Sequence, residues 1–253
     1  MTSSTSSDAG DGESGGADAL QPLPVEARAV RGWLRACVRT LARTLTRPSQ
    51  SFRRAPEPIA HGRVLGYLAT LRLPAWGLLV AIEASRIIGD PTRPMPLRSI
   101  HNLLDAPLVQ ALTSWLVLMV PVGLPLLYFF GGLLAHLGIA LTGGASRSIG
   151  ASMRAIGYAA GPALLVIGVL DLPLYLGEMS AVTYLVAVIV AALLLMLLGG
   201  IGLARTHQMS VVRGWAVALL PAVLLAGVTA GRAALVLREL PGMPVPDQPY
   251  YVP

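Results

Sequence analysis

Residues 131–162 constrain the fold more than any other part of the chain. The segment reads GGLLAHLGIALTGGASRSIGASMRAIGYAAGP: an apolar run with two late glycines, a short basic and serine-rich turn, and a second apolar run. This order is typical of two membrane helices joined by a tight turn, because a bilayer core needs about 20 consecutive apolar residues per helix. No catalytic signature lies in the segment, so it favours an integral membrane protein that performs no chemical reaction.

The composition of the whole chain agrees with this reading. Of 253 residues, 54% are hydrophobic and only 13% are charged, and all 19 basic residues are arginines. The arginine-only usage in an Ala-, Gly- and Leu-rich sequence indicates a bacterial genome of high GC content. We therefore predict an all-α, polytopic membrane protein of the bacterial cytoplasmic membrane. The one cysteine, Cys37, excludes an intrachain disulfide.

Five stretches are apolar and long enough to span a bilayer, and we predict five transmembrane helices from them. The predicted spans are about 64–88, 121–141, 154–170, 181–204 and 214–236. The apolar stretch 106–120 could lie in the membrane interface or extend the second span.

The distribution of arginines predicts the orientation. Nine arginines lie between residues 28 and 63, ahead of the first span. The turns at 142–153 and 205–213 carry or border two more each, whereas the loop at 171–180 has two acids and no arginine. The excess of positive charge in cytoplasmic segments places the N-terminus in the cytoplasm and the C-terminus outside. The loop at 89–105 disagrees, since it should lie outside yet contains two arginines.

The segments that flank the membrane domain differ in character. Residues 1–27 are rich in Ser, Gly, Asp and Ala, and we predict a disordered leader because such a segment buries little apolar surface. Residues 239–253 form a proline-rich tail that should be extended.

Residues 28–47 predict an amphipathic helix at the membrane interface. Arginines recur every three or four residues and apolar residues recur at the complementary phase, so the two sets occupy opposite faces. We expect the basic face and Trp33 to contact anionic lipid or a cytoplasmic partner; docking on the protein's own loops is the alternative. The basic face comprises Arg28, Arg31, Arg35, Arg39, Arg43 and Arg47.

Polar residues near or inside the spans give no chemical site. Arg72 must snorkel, pair or face a polar cavity, and snorkelling is the expected solution. Asp171 is expected to be a solvated loop acid at the outer surface. His136 and His207 are expected to be hydrogen-bonded histidines at helix ends, since no metal-ligand cluster surrounds them. The serines at 146, 148 and 152 have no base at recognisable spacing, so we predict no nucleophile.

The third and fifth spans resemble each other. Residues 154–169 and 213–228 align without a gap and share seven of sixteen residues, including an arginine and a proline eight residues apart. Arg154 matches Arg213, and Pro162 matches Pro221. The spans before them each carry a double glycine late in the helix, as in two parallel repeats. Chance matching of Ala, Leu, Gly and Val is the alternative explanation.

The order of these motifs resembles a known family. Pro48 and Phe52 follow the N-terminal helix as Pro-x-x-x-Phe, and then come GGLLAHLGIALTGG, MRAIGYAAGP, GLARTHQMS and RGWAVALLP. This looks like the Yip domain family, the Ypt/Rab-interacting membrane proteins, in its bacterial branch, with a membrane domain at about 48–238. The residues that carry the resemblance are Gly143, Gly144, Arg154, Tyr158, Pro162, Gly202, His207, Arg213 and Pro221.

The resemblance implies five spans, a cytoplasmic N-terminus and no catalytic residues. Eukaryotic members of the family bind Rab GTPases and one another, but bacteria lack Rab proteins, so that partner is not expected. We therefore expect a non-enzymatic membrane scaffold or adaptor that needs no metal or cofactor and binds no nucleic acid. Association with itself or another membrane protein stays open. The alternative is a small transporter or channel that uses the kinked third and fifth spans, with Arg72, His136, Arg154 and Arg213 along the path.

Overall fold

The computed structural model describes residues 22–27, 32–53, 58–89, 106–176 and 178–236. The described residues form helices and contain no strand, as predicted. After a short 3-10 turn at Pro24–Glu26, seven α-helices follow in chain order. They are α1 (Trp33–Thr46), α2 (Pro48–Ser51), α3 (His61–Gly89), α4 (Ala106–Leu141), α5 (Ile149–Leu176), α6 (Ala181–His207) and α7 (Val211–Val236).

Five of these helices are long and apolar enough to cross a membrane, which confirms the predicted number of spans. Their outward-facing side chains are largely Leu, Val, Ile and Phe, as a lipid-facing surface requires. The candidate spans are His61–Ile82, Val120–Leu141, Ile149–Leu174, Val182–His207 and Val211–Ala230. The protein is therefore a multi-pass membrane protein.

Two boundaries differ from the sequence prediction. Helix α4 is continuous from Ala106 to Leu141, so the stretch at 106–120 extends the helix of the second span. Helix α5 is longer than the predicted third span, 154–170, at both ends. It continues past Asp171 and through Pro173, because a proline in a helix costs one backbone hydrogen bond and does not always end the helix.

Helix α5 is the centre of the bundle. Within its most apolar stretch, 72% of the residues are buried, compared with 22–39% in the other four spans. Helices α3, α4 and α6 all pack against it. Most side chains on α5 are therefore surrounded by protein, whereas the other spans expose a larger share of their side chains.

The two double glycines allow the helices of each hairpin to approach closely. A Cβ on Gly132 of α4 would lie 2.6 Å from the Cα of Met153 on α5, and one on Gly200 of α6 would lie 2.8 Å from the Cα of Trp215 on α7. In each pair the second glycine thus packs against the second turn of the next helix.

The bundle has two ends, a near end and a far end. The near end contains the start of α3, the α4–α5 turn and the α6–α7 turn; the far end contains the end of α3 and the α5–α6 turn.

Several predictions lie outside the described residues. They are the disordered leader over residues 1–21, the loop at 90–105, the proline-rich tail, and the contacts of Arg28 and Arg31.

Candidate functional site

A buried ion pair at the near end joins the central helix to the segment before α1. The Arg154 guanidinium binds the Glu26 carboxylate through two bonds, Nε to Oε1 at 2.5 Å and Nη2 to Oε2 at 2.7 Å. The side chains are only 1% and 4% exposed. Because a buried charge is costly without a partner, each residue requires the other.

Aromatic side chains lie beside this ion pair. The Arg154 guanidinium lies 5.4 Å from the centre of the Tyr158 ring, and the Tyr67 ring packs against Tyr158 at the same centroid distance. His61 Nδ1 and the Tyr128 hydroxyl lie 2.6 Å apart. A guanidinium over an aromatic face gains a cation–π attraction. The pair is buried away from water, and Arg154 Nη1 has no hydrogen-bond partner.

Residues 22–27 are part of the fold, which corrects the predicted leader boundary at residue 27. Leu23 and Val25 are buried, and the Val25 backbone N–H donates to the Thr40 hydroxyl at 3.3 Å. Arg63 at the start of α3 donates to the backbone carbonyl of Ala27. The apolar pair Leu23 and Val25 beside an acid was the sequence signal for this anchored segment.

Helix α1 has three faces rather than the two that were predicted. One face packs on the bundle and buries small residues, Ala36, Cys37, Thr40 and Thr44. On one side of it lies an apolar flank that is exposed: Leu34 is 68%, Val38 61% and Leu45 45% exposed. On the other side lies a basic flank: Arg35 and Arg39 are exposed and Arg43 is half-buried, with exposed Arg47 just after the helix.

Trp33 lies between α1 and α3. Its indole N–H donates to the Thr70 hydroxyl at 2.8 Å, and its ring packs over Gly66, where a Cβ would lie 3.1 Å from the ring. The residue that was expected to contact lipid or a partner thus binds the bundle. Nearby, burial raises the pKa of the Cys37 thiol above its usual value of 9.0.

The turn between α4 and α5 is held by an arginine of α7. Arg213 Nη2 donates to the Ile139 carbonyl at 2.6 Å, and its Nε donates to the Thr142 hydroxyl at 2.9 Å. Gly143 and Gly144 have φ values of +136° and +84°, which favour glycine. Arg213 therefore binds backbone carbonyls at the turn, whereas Arg154, which aligns with it in sequence, binds a carboxylate.

A serine links the two histidines at the near end. The Ser152 hydroxyl lies 3.0 Å from His136 Nδ1 and 2.9 Å from His207 Nε2. Both histidines are thus hydrogen-bonded near helix ends, as expected, but the sequence interpretation missed Ser152, because its partners are far away in the chain. Among the described residues no group of three His, Cys, Asp or Glu side chains is placed to hold a metal.

A second buried ion pair lies towards the far end. Arg72 of α3 binds the carboxylate of Asp171 on α5, and the side chains are 3% and 0% exposed. The Tyr184 hydroxyl donates to Asp171 Oδ1 at 2.5 Å. The predictions that Arg72 snorkels and that Asp171 is a solvated loop acid are both wrong. The sequence did not predict this pair, because the predicted third span ends at residue 170 and Asp171 was therefore expected to lie outside the membrane.

The four side chains proposed for a transport path do not converge. Arg154 binds Glu26, Arg213 binds the α4–α5 turn, and His136 binds Ser152, all at the near end. Arg72 binds Asp171 towards the far end. The kinking prolines Pro162 and Pro221 are both buried against neighbouring helices. The observed pattern is one of separate structural anchors.

Comparison with known proteins gives one match. The model of the Yip1 domain matches residues 42–231, about three quarters of the chain. No curated protein and no solved structure matches. The match includes all five candidate spans and Arg154, whereas Glu26 and the first two and a half turns of α1 precede it. The matched range covers well over half of the chain, so the protein belongs to the Yip1 domain family of membrane proteins.

Proposed function

We propose that this protein is a non-enzymatic scaffold of the bacterial cytoplasmic membrane, with its N-terminus in the cytoplasm, and that α1 contacts anionic lipid. One observation carries the proposal: a basic flank and an apolar flank lie side by side on α1 while the third face is docked on the bundle. A helix at a membrane interface needs this arrangement, because its apolar side enters the acyl chains while its charges meet the headgroups.

The charge supports anionic lipid as the contact. Arg35, Arg39 and Arg47 are exposed, and each arginine near an anionic surface contributes about 1 kcal/mol. A protein partner would have to cover both flanks, whereas a bilayer meets both at once. The basic segment therefore suits the inner leaflet, where anionic headgroups attract it.

The docked face explains how lipid contact would be coupled to the bundle. A hydrogen bond from Val25 to Thr40 joins the 3-10 turn to α1, and a hydrogen bond from Trp33 to Thr70 joins α1 to α3. The 3-10 turn also contains Glu26, which forms the ion pair with Arg154 in the central helix. A force on α1 would thus reach α5 directly, as suits a scaffold that reports or shapes its lipid environment.

Lipid selectivity tests the proposal. The full-length protein is reconstituted in nanodiscs with trace spin-labelled phosphatidylglycerol or phosphatidylcholine, and the immobilised fraction of each label is measured. Wild type should prefer phosphatidylglycerol. Arg35→Gln/Arg39→Gln should lower that preference, by up to about fivefold for each arginine at low salt, and added salt should lower it further.

The matched control is Arg53→Gln/Arg205→Gln, which removes the same charge from exposed positions that lie outside α1. It should change the preference less. An equal preference in both double variants would contradict a role for α1. A preference that persists in Arg35→Gln/Arg39→Gln would assign the flanks to a protein partner.

A further inference from the structure

A cavity of about 360 Å³ lies between α4, α5 and α7 in the far half of the bundle. Its inner wall is made of buried apolar side chains, among them Leu124, Leu164 and Leu225. The volume is at the lower end of the range of about 300–1,000 Å³ that ligand pockets occupy. It suits a single slender apolar group rather than a bulky ligand.

The cavity opens sideways towards the bilayer. Leu126, Phe130 and Val228 line it and are themselves 53%, 47% and 41% exposed on the lipid-facing surface. At the near end α4 and α7 are in close contact at Gly138. A Cβ on Gly138 would lie only 3.1 Å from the Val217 side chain. Farther along α4, a Cβ on Gly123 would meet no atom of the described residues within 4 Å.

A buried arginine forms part of the wall of this apolar cavity. Arg72 lines it and is 97% buried, since only 3% of its side chain is exposed. Nη2 binds Asp171, but Nη1 has no hydrogen-bond partner. A buried donor without an acceptor is costly, so an oxygen atom at this position would stabilise the protein.

The charges around Arg72 select the kind of oxygen. Arg72 is already neutralised by Asp171, so a second anion would have to be buried without a counter-charge. A neutral carbonyl oxygen satisfies Nη1 without that cost. The bilayer around the five spans supplies molecules in which such a carbonyl heads a long apolar chain.

We propose that the cavity binds one acyl chain of a diacyl phospholipid and that the ester carbonyl of this chain accepts a hydrogen bond from Arg72 Nη1. The chain enters between α4 and α7 and packs against the leucines of the inner wall. The lining residues come from α3, α4, α5 and α7 and not from α1, and occupancy of the cavity is independent of the function proposed above.

Native mass spectrometry of the full-length protein tests the site with dioleoyl phosphatidylethanolamine and its diether analogue, which lacks both carbonyls. The wild-type protein should retain one ester lipid, and the diether analogue should bind roughly three- to tenfold more weakly for the loss of one hydrogen bond. Equal retention of the two lipids would overturn the role of Arg72. Oleate that competes as well as the ester lipid would assign the cavity to a free fatty acid and overturn the proposal.

Two glycines provide a matched pair of variants. Gly123→Leu fills the cavity from α4 and should abolish retention of the ester lipid. Gly227→Leu on α7 adds the same side chain where a Cβ also meets nothing within 4 Å, but Gly227 does not line the cavity, so retention should match wild type. Wild-type retention in Gly123→Leu, or equal loss in both variants, would contradict the site. If Gly123→Leu does not fold, Leu225→Trp fills the same space from α7.

Discussion

At the scale of single residues, charge inside an apolar bundle determines the structure. Arg154 and Glu26 are 128 positions apart in the chain, and Arg72 and Asp171 are 99 positions apart. Every one of these side chains is at least 96% buried. The sequence shows that each charge needs a partner, but it does not show which one, because pairing depends on how the helices pack.

Glu26→Gln should destabilise the protein by about 3–5 kcal/mol, because it leaves the Arg154 guanidinium buried without a counter-charge. The measurement is thermal unfolding of the full-length protein in detergent. Replacing both partners, as Glu26→Leu/Arg154→Met, should recover much of the loss, since an apolar pair needs no counter-charge. Arg35→Gln, at an exposed position, should change the stability little. A stable Glu26→Gln variant would show that the ion pair does not hold residues 22–27 in place.

Cys37 should react slowly with a maleimide in the folded protein, because the thiol is buried and its pKa is raised above 9.0. The reactive thiolate is therefore scarcer than in a free cysteine at the same pH. The rate should keep rising with pH to higher pH than it does for an ordinary thiol. Arg39→Cys in a Cys37→Ala background, on the exposed basic flank of the same helix, should react fast at neutral pH. Equal rates at the two positions would contradict the docking of α1.

At the scale of the helices, the hydropathy of the sequence predicts that a helix exists better than it predicts where the helix ends or which helices it contacts. The five spans and the amphipathic helix follow from apolar length and from the spacing of arginines. The end of α5 was misplaced because Asp171 and Pro173 look like loop residues when no partner is known. The third face of α1 was missed because Cys37, Thr40 and Thr44 are too small and mixed to mark a buried face.

The double glycines set the distance between paired helices. Gly132→Ala and Gly200→Ala should each cost about 1–3 kcal/mol, because a methyl group would overlap the backbone of Met153 and of Trp215 respectively. Gly77→Ala on α3 is the control, since a Cβ there meets nothing within 4 Å, and it should be neutral or slightly stabilising. Thermal unfolding of the three variants in one detergent makes the comparison. Equal effects at all three positions would mean that the glycines are not needed for close packing.

At the scale of the whole molecule, the arginine distribution predicts an orientation that can be measured. In a Cys37→Ala background, Ser148→Cys places a thiol in the α4–α5 turn and Glu178→Cys places one in the α5–α6 loop, both at exposed positions. A membrane-impermeant thiol reagent added to intact cells should label position 178 only. Position 148 should become labelled after the membrane is permeabilised. The reverse pattern would invert the topology and place α1 at the outer surface.

The proposed function depends most on the position of α1 at the membrane surface. Val38 and Arg39 are adjacent in sequence but lie on its apolar and basic flanks, so spin labels at Val38→Cys and Arg39→Cys in a Cys37→Ala background compare the two directions. In nanodiscs that contain anionic lipid, relaxation by molecular oxygen, which concentrates in the acyl chains, should dominate at position 38. Relaxation by a water-soluble nickel chelate should dominate at position 39. Dominant relaxation by the nickel chelate at both positions would place the apolar flank in water and contradict the proposed role of α1 in lipid contact.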